Sequence, residues 1–267
     1  MLAACATNSV NRAAGHGKTV QEGNQTPGGP PALAIDHTIE AISQDSRVQF
    51  VVLHYTAADD EESLRLLSRS GVSSHYLITD GPRPRIYQLV SENRRAWHAG
   101  ASQWYGRTYL NASSIGVEIV NAGREPDGTW APYPPAQIEV VAALLKEIIA
   151  RHHIKPADVV GHSDIAPQRK SDPGPAFPWE RLAREGIGRW YDTNDAARYQ
   201  REFERNGLPG AAWIQRQLTR AGYACPGTGV LDAATKKVIA AFQMHYRPQR
   251  HDGVPDARTL AILKAMP

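Results

Sequence analysis

Five residues of this 267-residue chain have the types and settings that hydrolytic metal chemistry needs: His54, Glu118, His162, Lys170 and Asp172. His54 follows the apolar run Val48-Gln49-Phe50-Val51-Val52-Leu53, and His162 follows Val159-Val160-Gly161. Each histidine thus ends a short buried strand, where side chains of neighbouring strands converge at one edge of a sheet. Asp172 lies ten positions after His162, within Gln168-Arg169-Lys170-Ser171-Asp172-Pro173. Two imidazoles and a carboxylate supply three ligands to zinc and leave the fourth position for water, as a hydrolytic site requires. The chain has ten histidines, and spacing alone leaves Asp164, His75, His98 and His153 open as rival ligands. Glu118 sits among apolar and glycine neighbours in Ile115-Gly116-Val117-Glu118-Ile119-Val120, so its carboxylate is expected on a sheet rather than in open solvent. Burying a carboxylate is costly unless it is paired or near a metal, which points to a general base acting on metal-activated water. An edge-strand glutamate facing water is the alternative. Lys170, two positions before Asp172, would lie close enough to the same metal to stabilise an oxyanion.

These side chains need a sheet to gather them. Beyond the strand before His54, a polar helical stretch runs from Asp59 to Ser70. His75-Tyr76-Leu77-Ile78 and Arg85 to Val90 flank the turn Asp80-Gly81-Pro82 and read as paired strands. Ser114 to Val120 is a further strand, and Gln137 to His152 carries apolar residues at helical spacing. Strands interleaved with helices predict an α/β fold, a mixed central β-sheet covered on both faces. The character changes beyond Tyr191, where the charged segment Arg198 to Arg205 precedes Gly207-Leu208-Pro209-Gly210. Three helical patterns follow, with a short repeat: Gly229-Val230-Leu231-Asp232-Ala233-Ala234-Thr235 and Gly253-Val254-Pro255-Asp256-Ala257-Arg258-Thr259. The Asp of each copy is placed to cap a helix. The expected division is 1–36 tether, 37–190 catalytic domain, 191–210 linker and 211–267 small helical domain.

A net charge of +3 is too small to signal nucleic acid, and no run approaches the roughly 18 apolar residues of a spanning helix. With 42% hydrophobic and 21% charged residues, the composition is that of a globular protein. Cys5 and Cys225, at opposite ends, do not suggest a disulfide framework. Leu2-Ala3-Ala4-Cys5 resembles the lipobox of bacterial lipoproteins, in which the cysteine carries lipid. The Gly-, Pro-, Asn- and Thr-rich stretch that follows would span roughly 30 Å as a flexible tether. The basic region and most of the apolar region expected of a signal peptide are missing before it.

In this order, Val51 to Ala57, Ser73 to Leu77, Ala96-Trp97-His98-Ala99-Gly100, Asn111 to Glu118, Gly161 to Lys170, and Asp172-Pro173-Gly174-Pro175 with Phe177-Pro178-Trp179 resemble the amidase-2 family. These are N-acetylmuramoyl-L-alanine amidases of the AmpD/AmiD type, related in fold to phage T7-type lysozyme and animal peptidoglycan recognition proteins. The likeness runs from about His37 to Trp190. It implies one Zn²⁺ per chain on His54, His162 and Asp172, and it favours Asp172 over Asp164. It further implies Glu118 as catalytic acid/base, Lys170 at the oxyanion, and Trp97, His98, Ala99 and Asn111 at the substrate. Residues from about Ala211 resemble the three-helix peptidoglycan-binding domain. The tether, catalytic domain and C-terminal module stand in the order of the lipid-anchored AmiD type. The implied activity is cleavage of the amide between N-acetylmuramic (or anhydro-N-acetylmuramic) acid and L-alanine in peptidoglycan. The implied setting is the periplasm, with a monomer held to the outer membrane through Cys5. A binding or sensing protein of the same fold, and a metal-free anchor between membrane and wall, are the competing readings. Peptidoglycan recognition proteins without catalysis usually lack a zinc ligand, whereas all three are present here.

Overall fold

In the computed structural model of the protein, which describes residues 33–267, the run Phe50–Tyr55 forms strand β1. The chain divides into two units, Met1–Gln44 and Asp45–Pro267. Cys5 and nearly all of the expected tether lie outside the described residues, and residues 33–44 contain no helix or strand.

In the second unit, β1 leads into helix α1 (Asp60–Arg69), whose first turn is capped by the Asp59 carboxylate accepting from Glu62 N at 2.9 Å. Strands β2 (Tyr76–Ile78) and β3 (Ile86–Gln88) pair antiparallel, as the turn sequence between them predicts. A small ribbon, β4 (Gln103–Trp104) with β5 (Arg107–Thr108), precedes β6 (Ser114–Ile119). Helix α2 (Pro135–His152), β7 (Val159–Gly161), and the short helices α3 (His162–Ile165) and α4 (Trp179–Arg184) complete the catalytic half. The sheet order is β3-β2-β6-β1-β7, parallel except for β3.

Side-chain alternation along the two central strands divides the labour between the faces. Val51 and Leu53 of β1, with Ile115, Val117 and Ile119 of β6, pack against Ile138, Val141, Leu145 and Ile148 of α2. Each such burial contributes roughly 1.5–3 kcal/mol relative to exposure. The alternate positions, Val52 and His54 of β1 and Ser114, Gly116 and Glu118 of β6, point the other way. The parallel register sets Val52 beside Gly116 and His54 beside Glu118.

The same opposite face also seats the C-terminal helices α5 (Thr193–Asn206), α6 (Ala211–Arg220), α7 (Ala233–Tyr246) and α8 (Ala257–Lys264). Phe50, Val52, Val160 and Ile165 share one core with Ile214, Leu218, Phe242 and Leu260. Residues 191–210 therefore differ from the expected linker. Most of that segment is α5, whose Ala196 and Phe203 enter the shared core while its charged residues face solvent. Its apolar positions recur at helical spacing among charges, a pattern that mimics a solvated connector when judged by composition.

The sequence repeat is also a structural repeat. Asp232 accepts from Thr235 N at 2.7 Å, and Asp256 accepts from Thr259 N at 2.8 Å. A buried glutamine on the preceding helix reads each loop. Gln215 Oε1 accepts from Gly229 N while its amide donates to Thr235 Oγ1; Gln243 Oε1 accepts from Gly253 N while its amide donates to Thr259 Oγ1.

Candidate metal centre

His54 and His162 arrive at one point by different routes. His54 lies near the C-terminal end of β1, and His162 opens α3 directly after β7, the strand paired with β1. Asp172 is folded back onto α3 by its loop: Ser163 N donates to the Asp172 carbonyl at 2.8 Å. Gly161 permits this approach, because a Cβ there would stand 2.7 Å from Pro173 Cδ. His54 Nδ1 lies 2.9 Å from His162 Nδ1 and 2.9 Å from Asp172 Oδ2, and His162 Nδ1 lies 3.0 Å from that same oxygen. All three residues are buried.

Hydrogen bonding cannot satisfy such a triangle. A proton on either Nδ1 would face two acceptors at once, and protons on both would abut. A divalent cation satisfies all three atoms, since Zn–N and Zn–O bonds of about 2.0–2.2 Å put tetrahedral ligands about 3.3 Å apart. The donor set of two nitrogens and one oxygen is one that zinc accepts. Electrostatics agree. Burial, with His162 alongside, brings His54 down to about 4, so it is a neutral ligand at neutral pH. Burial alone would raise the Asp172 carboxyl, but the two imidazoles override it and hold it far below the usual carboxylate range.

The imidazoles are oriented from behind. His162 Nε2–H donates to the Ala99 carbonyl at 3.1 Å, which leaves its Nδ1 lone pair for the centre. Arg169 donates to that carbonyl and to the Ala101 carbonyl. His54 Nε2 meets His98 Nδ1 at 3.0 Å. Asn111 Oδ1 accepts from the backbone N–H of both His98 and Ala99, at 3.1 and 2.7 Å, and so clamps the turn that carries both supports.

A cleft of about 400 Å³ opens over the three residues and is also lined by Glu118, Lys170 and Trp97. Glu118 Oε2 is buried and has no hydrogen-bond partner among the described residues. Burial and the Asp172 charge push its carboxyl well above the usual range, with Lys170 opposing. A carboxyl so placed holds a proton more tightly than an exposed one, as a group that must take a proton from water requires.

The rival ligands are otherwise engaged. Asp164 Oδ2 accepts from Gly161 N and from His245 Nδ1, and its Oδ1 accepts from Tyr223 OH, so α7 and the loop before it claim it. His75 Nε2–H donates to the Arg94 carbonyl, and its Nδ1 accepts from Gly116 N. His153 caps α2 in the left-handed region. Of the four expected substrate residues, Trp97 is 54% exposed at the cleft rim and the buried His98 ring also lines the cleft, whereas Ala99 is fully buried and the half-buried Asn111 spends its Oδ1 on the backbone of His98 and Ala99. Sequence reasoning missed Ser114, Gly116 and Arg169. For Gly116 a signal was present, since a glycine inside a strand marks a close approach.

Residues 44–175 match the family model described as N-acetylmuramoyl-L-alanine amidase, and residues 208–263 match that of a peptidoglycan binding domain. The chain is 44% identical over 240 residues to N-acetylmuramoyl-L-alanine amidase AmiD of Escherichia coli K12, covering 87% of each. Its fold matches the crystal structure of AmpDh3 from Pseudomonas aeruginosa with a TM-score of 0.83 at 44% identity, over 88% of this chain and 98% of that one. It matches AmiD from E. coli, in complex with the substrate anhydro-N-acetylmuramic acid-L-Ala-D-gamma-Glu-L-Lys, with a TM-score of 0.79 at 44% identity, over 87% and 93% of the two chains.

Proposed function

The chain belongs to the N-acetylmuramoyl-L-alanine amidase family, and from that premise we propose a hydrolase with one zinc ion on His54, His162 and Asp172. It cuts the amide between N-acetylmuramic or anhydro-N-acetylmuramic acid and L-alanine. The observation that carries this reading is the triangle of donor atoms, with edges of 2.9, 2.9 and 3.0 Å, beside an unpartnered glutamate oxygen. Zinc bound there supplies Lewis acidity to the scissile carbonyl and the attacking water.

Glu118 takes one proton from that water as its oxygen bonds to the carbonyl carbon. It then delivers the proton to the alanine nitrogen as the C–N bond breaks, so one water is consumed and one acid and one amine are formed. Lys170, on the same cleft, holds the negative charge that develops on the carbonyl oxygen. Trp97 contacts the substrate at the rim, and His98, Ala99 and Asn111 act on the site from behind. The substrate named for the E. coli AmiD complex supports an anhydro-muropeptide, and the family's activity supports a role in cell-wall turnover.

The test is to digest anhydro-muropeptides and intact sacculi, with and without a chelator, and to weigh the products. Free peptides beginning at L-alanine are expected, and only without chelator. Products cut elsewhere, or undiminished cleavage under chelation, would overturn the reading.

Catalysis belongs to residues 37–190 and wall contact to residues 211–267, a division supported by the two family matches. No helix among the described residues is long and apolar enough to cross a membrane. Membrane contact is assigned to a lipid on Cys5, in a monomer anchored to the outer membrane and facing the periplasm. Mass spectrometry of the protein expressed with a lipoprotein signal should find an acylated cysteine at position 5, and an unmodified cysteine would count against the anchor.

A further inference from the structure

We propose that His98 and Ser114 are positioning residues that set the tautomer of His54 and aim its Nδ1 lone pair at the metal. The inference rests on His54 being a ligand. It follows from the direction of a chain of hydrogen bonds. Ser114 Oγ lies 2.7 Å from the Leu110 carbonyl, which can only accept, so the one hydroxyl proton is spent there. The same oxygen lies 3.1 Å from His98 Nε2 and must therefore accept from it. His98 is buried, and as a neutral ring with its proton on Nε2 it offers only a lone pair at Nδ1. That lone pair, 3.0 Å away, is filled by His54 Nε2–H. With its proton committed to Nε2, His54 presents a bare Nδ1 to His162 and Asp172.

The sheet is built to hold this chain. Ser114, Gly116 and Glu118 share a face of β6 because strand side chains alternate, so the hydroxyl and the glutamate flank one residue. That residue is glycine, and the His98 ring lies where any Cβ would be: one built on Gly116 would overlap His98 Cγ and stand 2.7 Å from Nδ1. The missing side chain is the space in which the relay sits. Asn111 fixes the other end by accepting from His98 N. The two imidazoles are thus held by adjacent residues of one clamped turn, His54 by the His98 ring and His162 by the Ala99 carbonyl.

The experiment measures zinc affinity by competition with a chromophoric chelator for the native protein, His98→Phe, His98→Asn, Gly116→Ala and Asp172→Ala. Melting temperatures in excess chelator verify folding. Asparagine places its Oδ1 where the histidine has Nδ1 and can still accept from His54, whereas phenylalanine cannot. Losing an outer partner of a metal-bound histidine typically weakens the metal by about 10- to 100-fold. That loss is expected for His98→Phe and Gly116→Ala, with His98→Asn within about threefold of native on the same scale. Native affinity in His98→Phe, or equal losses in the phenylalanine and asparagine variants, would overturn the proposal. Should His98→Phe fail to fold, Ser114→Ala carries the comparison, with about a tenfold loss expected and native affinity overturning. Asp172→Ala separates the two readings: if it alone loses zinc, the metal site stands and the relay falls, and if it binds zinc as the native protein does, both fall.

Discussion

Replacing Glu118 with glutamine is expected to lower kcat by roughly 10²- to 10⁴-fold, the usual worth of a positioned general base, while the protein retains its zinc and its melting temperature. The amide is nearly isosteric with the carboxylate, so the packing between β1 and β6 is preserved. What disappears is the ability to take a proton, at the position beside His54 where one oxygen now has no partner. KM should move far less than kcat, because the group acts on the water and the leaving nitrogen rather than on substrate recognition. Steady-state kinetics on a defined anhydro-muropeptide, alongside metal analysis of the same sample, decide the matter. A variant with full zinc and near-native kcat would remove Glu118 from the chemistry.

The second large effect concerns the metal itself. Asp172→Ala should abolish turnover and also make the protein indifferent to chelator. In the native protein, zinc binds the folded state and stabilises it by mass action, about 4 kcal/mol when free metal is a thousandfold above Kd, so chelation should lower the melting temperature measurably. Removing Asp172 takes away the anionic member of the triangle and leaves two imidazoles, too weak a set to hold the ion. The variant should then melt at the same temperature with and without chelator. A chelator-dependent melting shift that persists in Asp172→Ala would mean that the stabilising ion sits elsewhere.

Much of the scaffold could be read along the chain because it depends on local pattern. The apolar run before His54, the turn at Asp80-Gly81-Pro82, the helical spacing from Gln137 to His152 and the two capped loops near Asp232 and Asp256 are each short-range signals. Helix α5 has the composition of a connector because its charged residues outnumber the few that are buried, and only the partner surface reveals which face is used. Asp164 and Asp172 are both buried aspartates near His162, and nothing in their spacing separates them. Resemblance favoured Asp172. The physical reason lies in the fold, where Tyr223, in the loop after α6, and His245 of α7 bind Asp164 and turn it from the cleft.

His98 illustrates the same limit from the other side. A histidine beside an exposed tryptophan looks like part of a substrate surface, and its ring does line the cleft, but both of its nitrogens are spent on His54 and Ser114. By itself the sequence determined the main strands, the long central helix and the capped C-terminal helices, and the presence of histidine, glutamate and aspartate at strand ends and loops, since alternation, caps and turns are decided within a few residues. Only the tertiary structure decided which of those groups share an ion and which way each ring faces. His54 and Asp172 stand 118 positions apart, and their meeting depends on parallel register, on the glycines that admit a close neighbour, and on partners that hold every competing group elsewhere.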